Sequence, residues 1–589
     1  MHVLLAASAF NSLTQRVHAE LRDHGHSVTV ELALPGSSLS DAVRRHRPDL
    51  VVAPMLTTAV PRDVWSAHTC LIVHPGPVGD RGPSSLDWAV TEDARQWGVT
   101  VLQADEEMDA GDVWASAGCP LPPVAKSEAY RGEIADAALA AVLLAVERFA
   151  SGSHVPQRQG PGRARPFLRQ ERRRIDWDRS TTEQVLRALR AADSRPGVLD
   201  DLLGGEWYLH GGHPEDRLRG RPGELLATRA GAVCRATADG AVWIPELRAR
   251  RTPGGPAPVK LPAVLALGDA LPPLPEVPAP ADAGPEGRTW SDIGYREQGG
   301  AGFLSFSFPG GAMGTEQCRR LLAAYRTACS RPTSVLLLGG GRGFFSNGIH
   351  LGVIEAAADP AAESWANITA MDDLVEAVLT TTDRLVVAAL GGNAAAGGAM
   401  LALAADEVWC RSGVVLNPHY RLMGLYGSEY WTYTLPRRIG AAAAERLTAE
   451  ALPLSADAAL RMGLIDRTVP CGPQEFTDET VRLAVRLAAS PATHSAIAGK
   501  KARRDRDEAV RPLAAYREAE LARMRETFSD PRAPYHALRR AFARKETPDR
   551  TPPHLARPVP GRHAAPQAAR RPHVTGPALH DRAPGPADC

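Results

Sequence analysis

Residues 70–90 read CLIVHPGPVGDRGPSSLDWAV, and residues 98–116 read GVTVLQADEEMDAGDVWAS. Each stretch carries a short apolar run, Cys70 to Val73 and Val99 to Leu102, that empties into a loop rich in Gly, Pro or Asp. Short apolar runs bounded by turn formers fit strands buried on both faces. His74 stands just past the first run, in a turn made by Pro75, Gly76 and Pro77. Asp109 stands in the loop after the second, ahead of Gly111. A histidine and a carboxylate on loops leaving neighbouring strands can converge at one sheet edge. There the carboxylate orients the imidazole or moves protons, and the imidazole stabilises developing charge or serves as acid and base. Singly, each would be an ordinary turn residue; the ordered combination carries the reading.

The pattern extends outward. Val3 to Ala7, Val28 to Leu34 and Leu50 to Ala53 repeat the buried-strand signature, while Leu13, Val17 and Leu21 recur at helical spacing ahead of Gly25. A further helix is expected from Ser127, as its N-cap, to about Ala150, with Gly152 beyond it. Such alternation predicts an open, mainly parallel sheet over residues 1–155, which binds ligands beyond the carboxyl ends of its strands. Residues 156–251 begin with a basic, Pro/Gly-rich connector, Pro156 to Pro166. A helical stretch near Thr182 to Ala191 follows, then short strands, predicting a small, mostly β domain. Residues 252–289 are rich in Pro, Gly and Ala and read as a semi-rigid linker. A second α/β pattern occupies 290–545, with Ser334 to Leu338 and Leu385 to Leu390 as strands. Residues 546–589 carry few large apolar side chains and read as a disordered tail.

Composition bounds the function. The chain has 589 residues, 44% hydrophobic and 23% charged, enough for several cores. A net charge of +1 offers no global field for nucleic acid or a membrane surface. No apolar run approaches the ~18 residues of a membrane span, and no basic leader precedes the first apolar run. The eight cysteines are scattered without a C-x-x-C pair, so a reducing cytoplasm is expected and a metal site is not.

A second constellation lies downstream. GGGRGFFSNGIHL (339–351) and GGNAAAGGAMLALAAD (391–406) each follow a buried strand. Two glycine-rich turns of this kind can aim backbone N–H groups at one point, forming an oxyanion hole for a thioester carbonyl. Losing one such donor typically costs ~2.7–4 kcal/mol of transition-state stabilisation. The same glycines would also serve tight turns and close packing. NPHYRLMGLYGSEYW (417–431) contains Glu429, the only carboxylate between Glu407 and Glu445, with Tyr420 and Tyr426 nearby. Glu429 reads either as a general base whose pKa rises if it is desolvated, or as a surface glutamate at a helix start. Tyr420 reads either as its partner or as a packing residue.

The His-Pro turn, RGPSSLDWAV, GVTV and the Asp-Ala-Gly-Asp loop, in that order, resemble the 10-formyltetrahydrofolate-dependent formyltransferases. The resemblance implies a Rossmann-like sheet with His74 and Asp109 catalytic, and Gly76, Arg81 and Gly111 in the folate-binding loops. ERRRIDWDRS (171–180) resembles the entry to that family's small, OB-like C-terminal domain. Two positions depart: Ile72 stands where the family usually has Asn, and Gly76 where it often has Ser. The second constellation, with SADAALRMGLIDRTVP (455–470), resembles the crotonase (enoyl-CoA hydratase/isomerase) superfamily and its α/β spiral fold. That implies the amides of Ile349 and Gly397 as oxyanion donors, and Gly348 and Gly398 in the coenzyme A site. His350 replaces the usual Asp beside the first donor, and Met400 and His419 stand where hydratases carry glutamates.

The two modules in this order, with both sets of substitutions, resemble a family of hydrogenase maturation factors. The expectation is a multidomain α/β enzyme that passes formyl from 10-formyltetrahydrofolate to coenzyme A. It then decarbonylates formyl-CoA, releasing carbon monoxide for the iron of [NiFe]-hydrogenase, and the hydrogenase large subunit or its maturation proteins would be partners. Two other readings stay open: an amine formyltransferase coupled to a crotonase-type hydrolase or isomerase, and a non-catalytic folate- or CoA-binding scaffold.

Overall fold

The structure, a computed structural model, describes residues 1–279, 288–558 and 561. Its first sheet has six strands: His2–Ala7 (β1), Ser27–Leu32 (β2), Leu50–Met55 (β3), Cys70–His74 (β4), Gln96–Gln103 (β5) and Val113–Pro120 (β6), in the order β2-β1-β3-β4-β5-β6. The first four run parallel, and β5 and β6 add an antiparallel hairpin. His74 therefore ends β4, and Asp109 lies in the β5–β6 loop beside it. Both faces are covered. Leu5, Val52, Leu71 and Val73 pack with Val17, Leu21, Ile134 and Val142. On the other face, Leu4, Val51 and Cys70 pack with Val43 and Val64.

The helix expected from Ser127 is two helices, Lys126–Arg131 and Glu133–Ser151. The break is Gly132, where a Cβ would press on Pro473 of the second α/β unit and on Glu128 O. Ser127 is not the cap; its hydroxyl donates to Asp193 Oδ2 at 2.6 Å. At the far end Gly152 takes the left-handed conformation, closing the helix as glycine does.

The small domain holds two open, four-stranded antiparallel sheets and the helix Thr182–Ala192, whose first turn is closed by a Thr181/Gln184 capping box. The segment read as a linker largely belongs to it. Leu261–Pro262 pairs with Glu246–Ala249, and the short helix Ala263–Leu267 buries Ala263 and Leu267. Thr228 N–H donates to Pro275 O and Val277 N–H to Thr228 O. Apolar residues spaced among the prolines make this docking favourable, which composition alone conceals. Residues 280–287 lie outside the described residues.

The second α/β unit has a six-stranded sheet: Ile293–Gln298, Ala301–Phe306, Val335–Gly339, Leu385–Leu390, Glu407–Arg411 and Arg467–Val469. A four-stranded sheet is built from Phe344–Ser346, Asn393–Ala395, Val415–Asn417 and Leu454–Ser455. The start of the expected tail is also ordered. Leu555 is buried in the first domain's core and its carbonyl accepts Val30 N–H at 2.9 Å. Thr551 Oγ1 accepts Leu32 N–H and donates to Glu31. This segment covers β2, an edge strand whose unpaired groups would otherwise face solvent. Residues 559–560 and 562–589 lie outside the described residues. Among the described residues, no helix is long and apolar enough to cross a membrane.

The two α/β units are docked through charged groups. Asp136 accepts from Arg16 at 2.5 Å and from Arg411 at 2.9 Å, Arg342 reaches Glu133 at 2.5 Å, and the Arg131 guanidinium lies 4.2 Å from the Phe344 ring centre. Arg342 and Phe344 belong to the first glycine-rich loop, so the domain contact reaches the edge of the second site.

Candidate active sites

At the end of β4, His74 is almost fully buried, and both ring nitrogens face carboxylates. Nε2 lies 3.0 Å from Asp80 Oδ2 and Nδ1 lies 3.5 Å from Asp109 Oδ1. Burial alone would lower the imidazole pKa. Hydrogen bonds and charge from Asp109 and Asp80 outweigh it and hold His74 at about 9, so the ring is an imidazolium at neutral pH. Asp109 is pushed up by burial, but His74 and the Gly82 amide, which donates to Oδ2 at 3.1 Å, bring it below the usual carboxylate range. Asp109 has φ 57°, left-handed for a non-glycine residue.

Gly76 explains one departure from the formyltransferase pattern. A Cβ there would lie 2.5 Å from His74 Nε2 and collide with Asp80 Oδ2. Any side chain at 76 would separate that pair, so losing the family's Ser admits Asp80. Asp80 went unnoticed in the sequence, where an acidic residue between Gly79 and Arg81 resembles a turn former; the missing side chain at 76 was the available signal. Behind Asp80, Arg165 Nε approaches Oδ1 at 3.5 Å. The connector closes over the site: Gln159 accepts from Gly79 N–H and donates to Asp109 O and Gly111 O. Gly111 is required because a Cβ would strike Gln103 O. Arg81 donates to Glu107 at 2.9 Å, on the same loop as Asp109.

In the second unit the two glycine-rich loops meet. A Cβ on Gly348 would lie 3.0 Å from Gly397 N, and one on Gly398 would strike Ser346 O. Gly397 opens the helix Gly397–Leu403, so its N–H has no intrahelical acceptor. Ile349 precedes the helix Leu351–Ala356. Its neighbour His350 donates its N–H to Asn367 Oδ1 at 3.0 Å and caps that helix through Nδ1.

Glu429 is not a surface glutamate. It is 1% exposed, and a Cβ on Gly397 would collide with its Oε1. The carboxyl therefore faces the first turn of that helix. Tyr420 donates to its Oε2 at 2.6 Å. Burial, then the charge of Asp372, push the Glu429 pKa well up; burial and Glu429 push Tyr420 up in turn. Met400 is fully buried in the apolar core. His419 bonds its own segment through Nδ1 to Asn417 O, and burial lowers its pKa.

Comparison with known proteins bears on both sites. The formyl transferase family matches residues 33–146, its C-terminal domain 168–253, and the enoyl-CoA hydratase/isomerase family 313–549. The hydrogenase maturation factor HoxX of Bradyrhizobium diazoefficiens is 47% identical over 571 residues, spanning 95% of this chain and 99% of that one. This chain belongs to the HoxX/HypX family of hydrogenase maturation factors. A crystal structure of HypX from Aquifex aeolicus in complex with tetrahydrofolic acid matches with a TM-score of 0.91 at 42% identity, over 94% of this chain and 98% of that one. The methionyl-tRNA formyltransferase of Anaeromyxobacter dehalogenans is 29% identical over 222 residues, 36% of this chain and 71% of that protein. As a HoxX/HypX member the chain combines formyltransferase and crotonase-like domains.

Proposed function

We propose that this chain makes carbon monoxide in two steps: formyl transfer from 10-formyltetrahydrofolate to the thiol of coenzyme A, then decarbonylation of the resulting formyl-CoA. The residues fit both ligands. A buried imidazolium supplies fixed positive charge for a formyl oxygen, and the Ile349 and Gly397 amides are donors for a thioester oxygen.

In the first step His74 stabilises the negative charge that develops on the formyl oxygen, with Asp109 and Asp80 keeping it protonated. Ile72 offers no hydrogen bond to that oxygen, so the burden falls on His74. The thiol gives up its proton as the C–S bond forms, and the folate nitrogen takes one as the C–N bond breaks. In the second step Ile349 and Gly397 polarise the carbonyl, while Glu429, hydrogen-bonded by Tyr420, takes the formyl proton and returns it to sulfur as the C–S bond breaks. Atoms and electrons balance: HC(O)S-CoA becomes CO and HS-CoA with no external oxidant. Gly76, Arg81 and Gly111 are assigned to the folate loops, and Gly348 and Gly398 to the coenzyme A turns. The setting is the cytoplasm, with a [NiFe]-hydrogenase large subunit or its maturation proteins receiving the product.

The observation that carries the reading is the buried Tyr420–Glu429 pair lying against Gly397, in a site where Met400 and His419 supply no water-activating glutamates. Glu429→Gln should abolish carbon monoxide release while formyl-CoA still accumulates from formyl-folate and CoA. An unchanged carbon monoxide yield would remove Glu429 from the mechanism.

A further inference from the structure

Glu429 and Tyr430 are consecutive non-glycine residues with φ of 60° and 58°. A left-handed pair of this kind persists only where its surroundings hold it. Here two buried carboxylates from different helices do so. Asp372, on Pro360–Thr380, accepts Glu429 N–H at 2.8 Å and the Ser428 hydroxyl, both through Oδ1. Glu520, on Leu513–Ser529, accepts Tyr430 N–H and Thr432 N–H, each at 2.8 Å, and the Thr432 hydroxyl. Asp372 and Glu520 are fully buried, and Asp372 Oδ2 has no hydrogen-bond partner among the described residues. That is a costly arrangement for a residue whose only task is to close a turn, and it places a negative group beside the Glu429 carboxyl.

We propose that Asp372, backed by Glu520, is the positioning residue of the decarbonylation site, fixing the left-handed turn that aims Glu429 at Gly397 and setting the charge state of Glu429. The inference rests on the role given to Glu429 above.

The groups facing Glu429 are Tyr420 from its own loop, Cys318 from the helix Thr315–Cys329, Asp372, and Glu520. Arg517 is the cation near Asp372, and it is engaged by Asp373 and Glu376. Three carboxyl groups in one dry region do not ionise together. Burial pushes Asp372 up, but the Ser428 hydroxyl, the Glu429 amide and Arg517 favour its charge, whereas the largest influence on Glu429 after burial is the Asp372 charge itself. Asp372 therefore ionises first and delays Glu429.

The test uses full-length protein supplied with formyl-CoA. Asp372→Asn keeps an oxygen acceptor for Glu429 N–H and Ser428 but removes the charge. The pH at which carbon monoxide release rises should move down by about one unit, with KM for formyl-CoA unchanged. Asp372→Ala also removes the acceptor, and its kcat should fall on the order of 10²-fold, with Asn restoring most of it. A superimposable pH profile for Asp372→Asn, or an unaltered kcat for Asp372→Ala, overturns the inference. If either variant misfolds, infrared titration of the wild type decides. The carboxyl band that vanishes in Glu429→Gln should ionise only after another buried carboxyl band has done so, and ionisation of the Glu429 band first overturns the inference. Wild-type protein that makes no carbon monoxide from formyl-CoA would contradict the proposed reaction instead, and the infrared titration would still judge the role of Asp372.

Discussion

At the first site a single imidazole lies between two carboxylates. His74 at about 9 is raised above its unfolded value of about 6.5, so its charged form is favoured by folding. That contribution is complete below about pH 6.5 and is lost as pH rises through about 9. On the proposed reaction, formyl transfer relies on the imidazolium and should fail over the same upper limb. Asp80→Asn removes one of the two charges and should bring the His74 titration, followed by imidazole proton NMR, to lower pH; the alkaline limb of formyl transfer should move with it. A His74 titration still centred near 9 would show that Asp109 alone holds the charge. His74 and Asp109 could be singled out in the sequence because each stands inside a run of motif residues, whereas Glu429 was marked there only as an isolated carboxylate, and its burial is what separates it from a surface glutamate. Asp80 was not marked, since its meaning depends on the empty space at Gly76. Asp372 and Glu520 sit in ordinary helices 57 and 91 positions from the residue they serve, Glu429, and no local pattern marks them.

Among the elements, five strands of the first sheet and two of the second, Val335–Gly339 and Leu385–Leu390, were readable because they are short, apolar and bounded by turn formers, whereas Val113–Pro120 and strands such as Ile293–Gln298, with its charged residues, carry no such mark. The misreadings fell where composition and contact diverge. Gly132 interrupts an otherwise helical run because Pro473, far away in sequence, crosses there. Leu261 to Leu267 sits among prolines, yet it docks on the small domain. Thr551 and Leu555 are two anchoring residues in a polar tail, enough to pin it to an edge strand. Removing the chain beyond Arg550 would expose the amides of Val30 and Leu32, which now donate to Leu555 O and Thr551 Oγ1. Hydrogen exchange at those two amides should accelerate, while Leu4 and Leu5 in the neighbouring β1 stay protected. Unchanged protection at Val30 would mean that the tail contributes nothing to the edge.

For the whole molecule, the order of the modules could be read from motifs, but their docking could not. Asp136 meets Arg411 across 275 positions, and Arg342 meets Glu133 across 209. The first pair ties the first α/β unit to the end of the strand Glu407–Arg411, and the second ties it to the glycine-rich loop 339–351. Two sites fixed in one body suit a relay in which the product of one is the substrate of the other. The most direct measurement of that relay supplies the full-length protein with 10-formyltetrahydrofolate labelled with ¹³C in the formyl group, together with coenzyme A, and traps gas on haemoglobin. The account predicts labelled carbon monoxide in step with tetrahydrofolate release, absent without coenzyme A, and lost in His74→Ala but regained when formyl-CoA is added. Tetrahydrofolate release with the label recovered as formate or on an amine, and no labelled carbon monoxide, would contradict it.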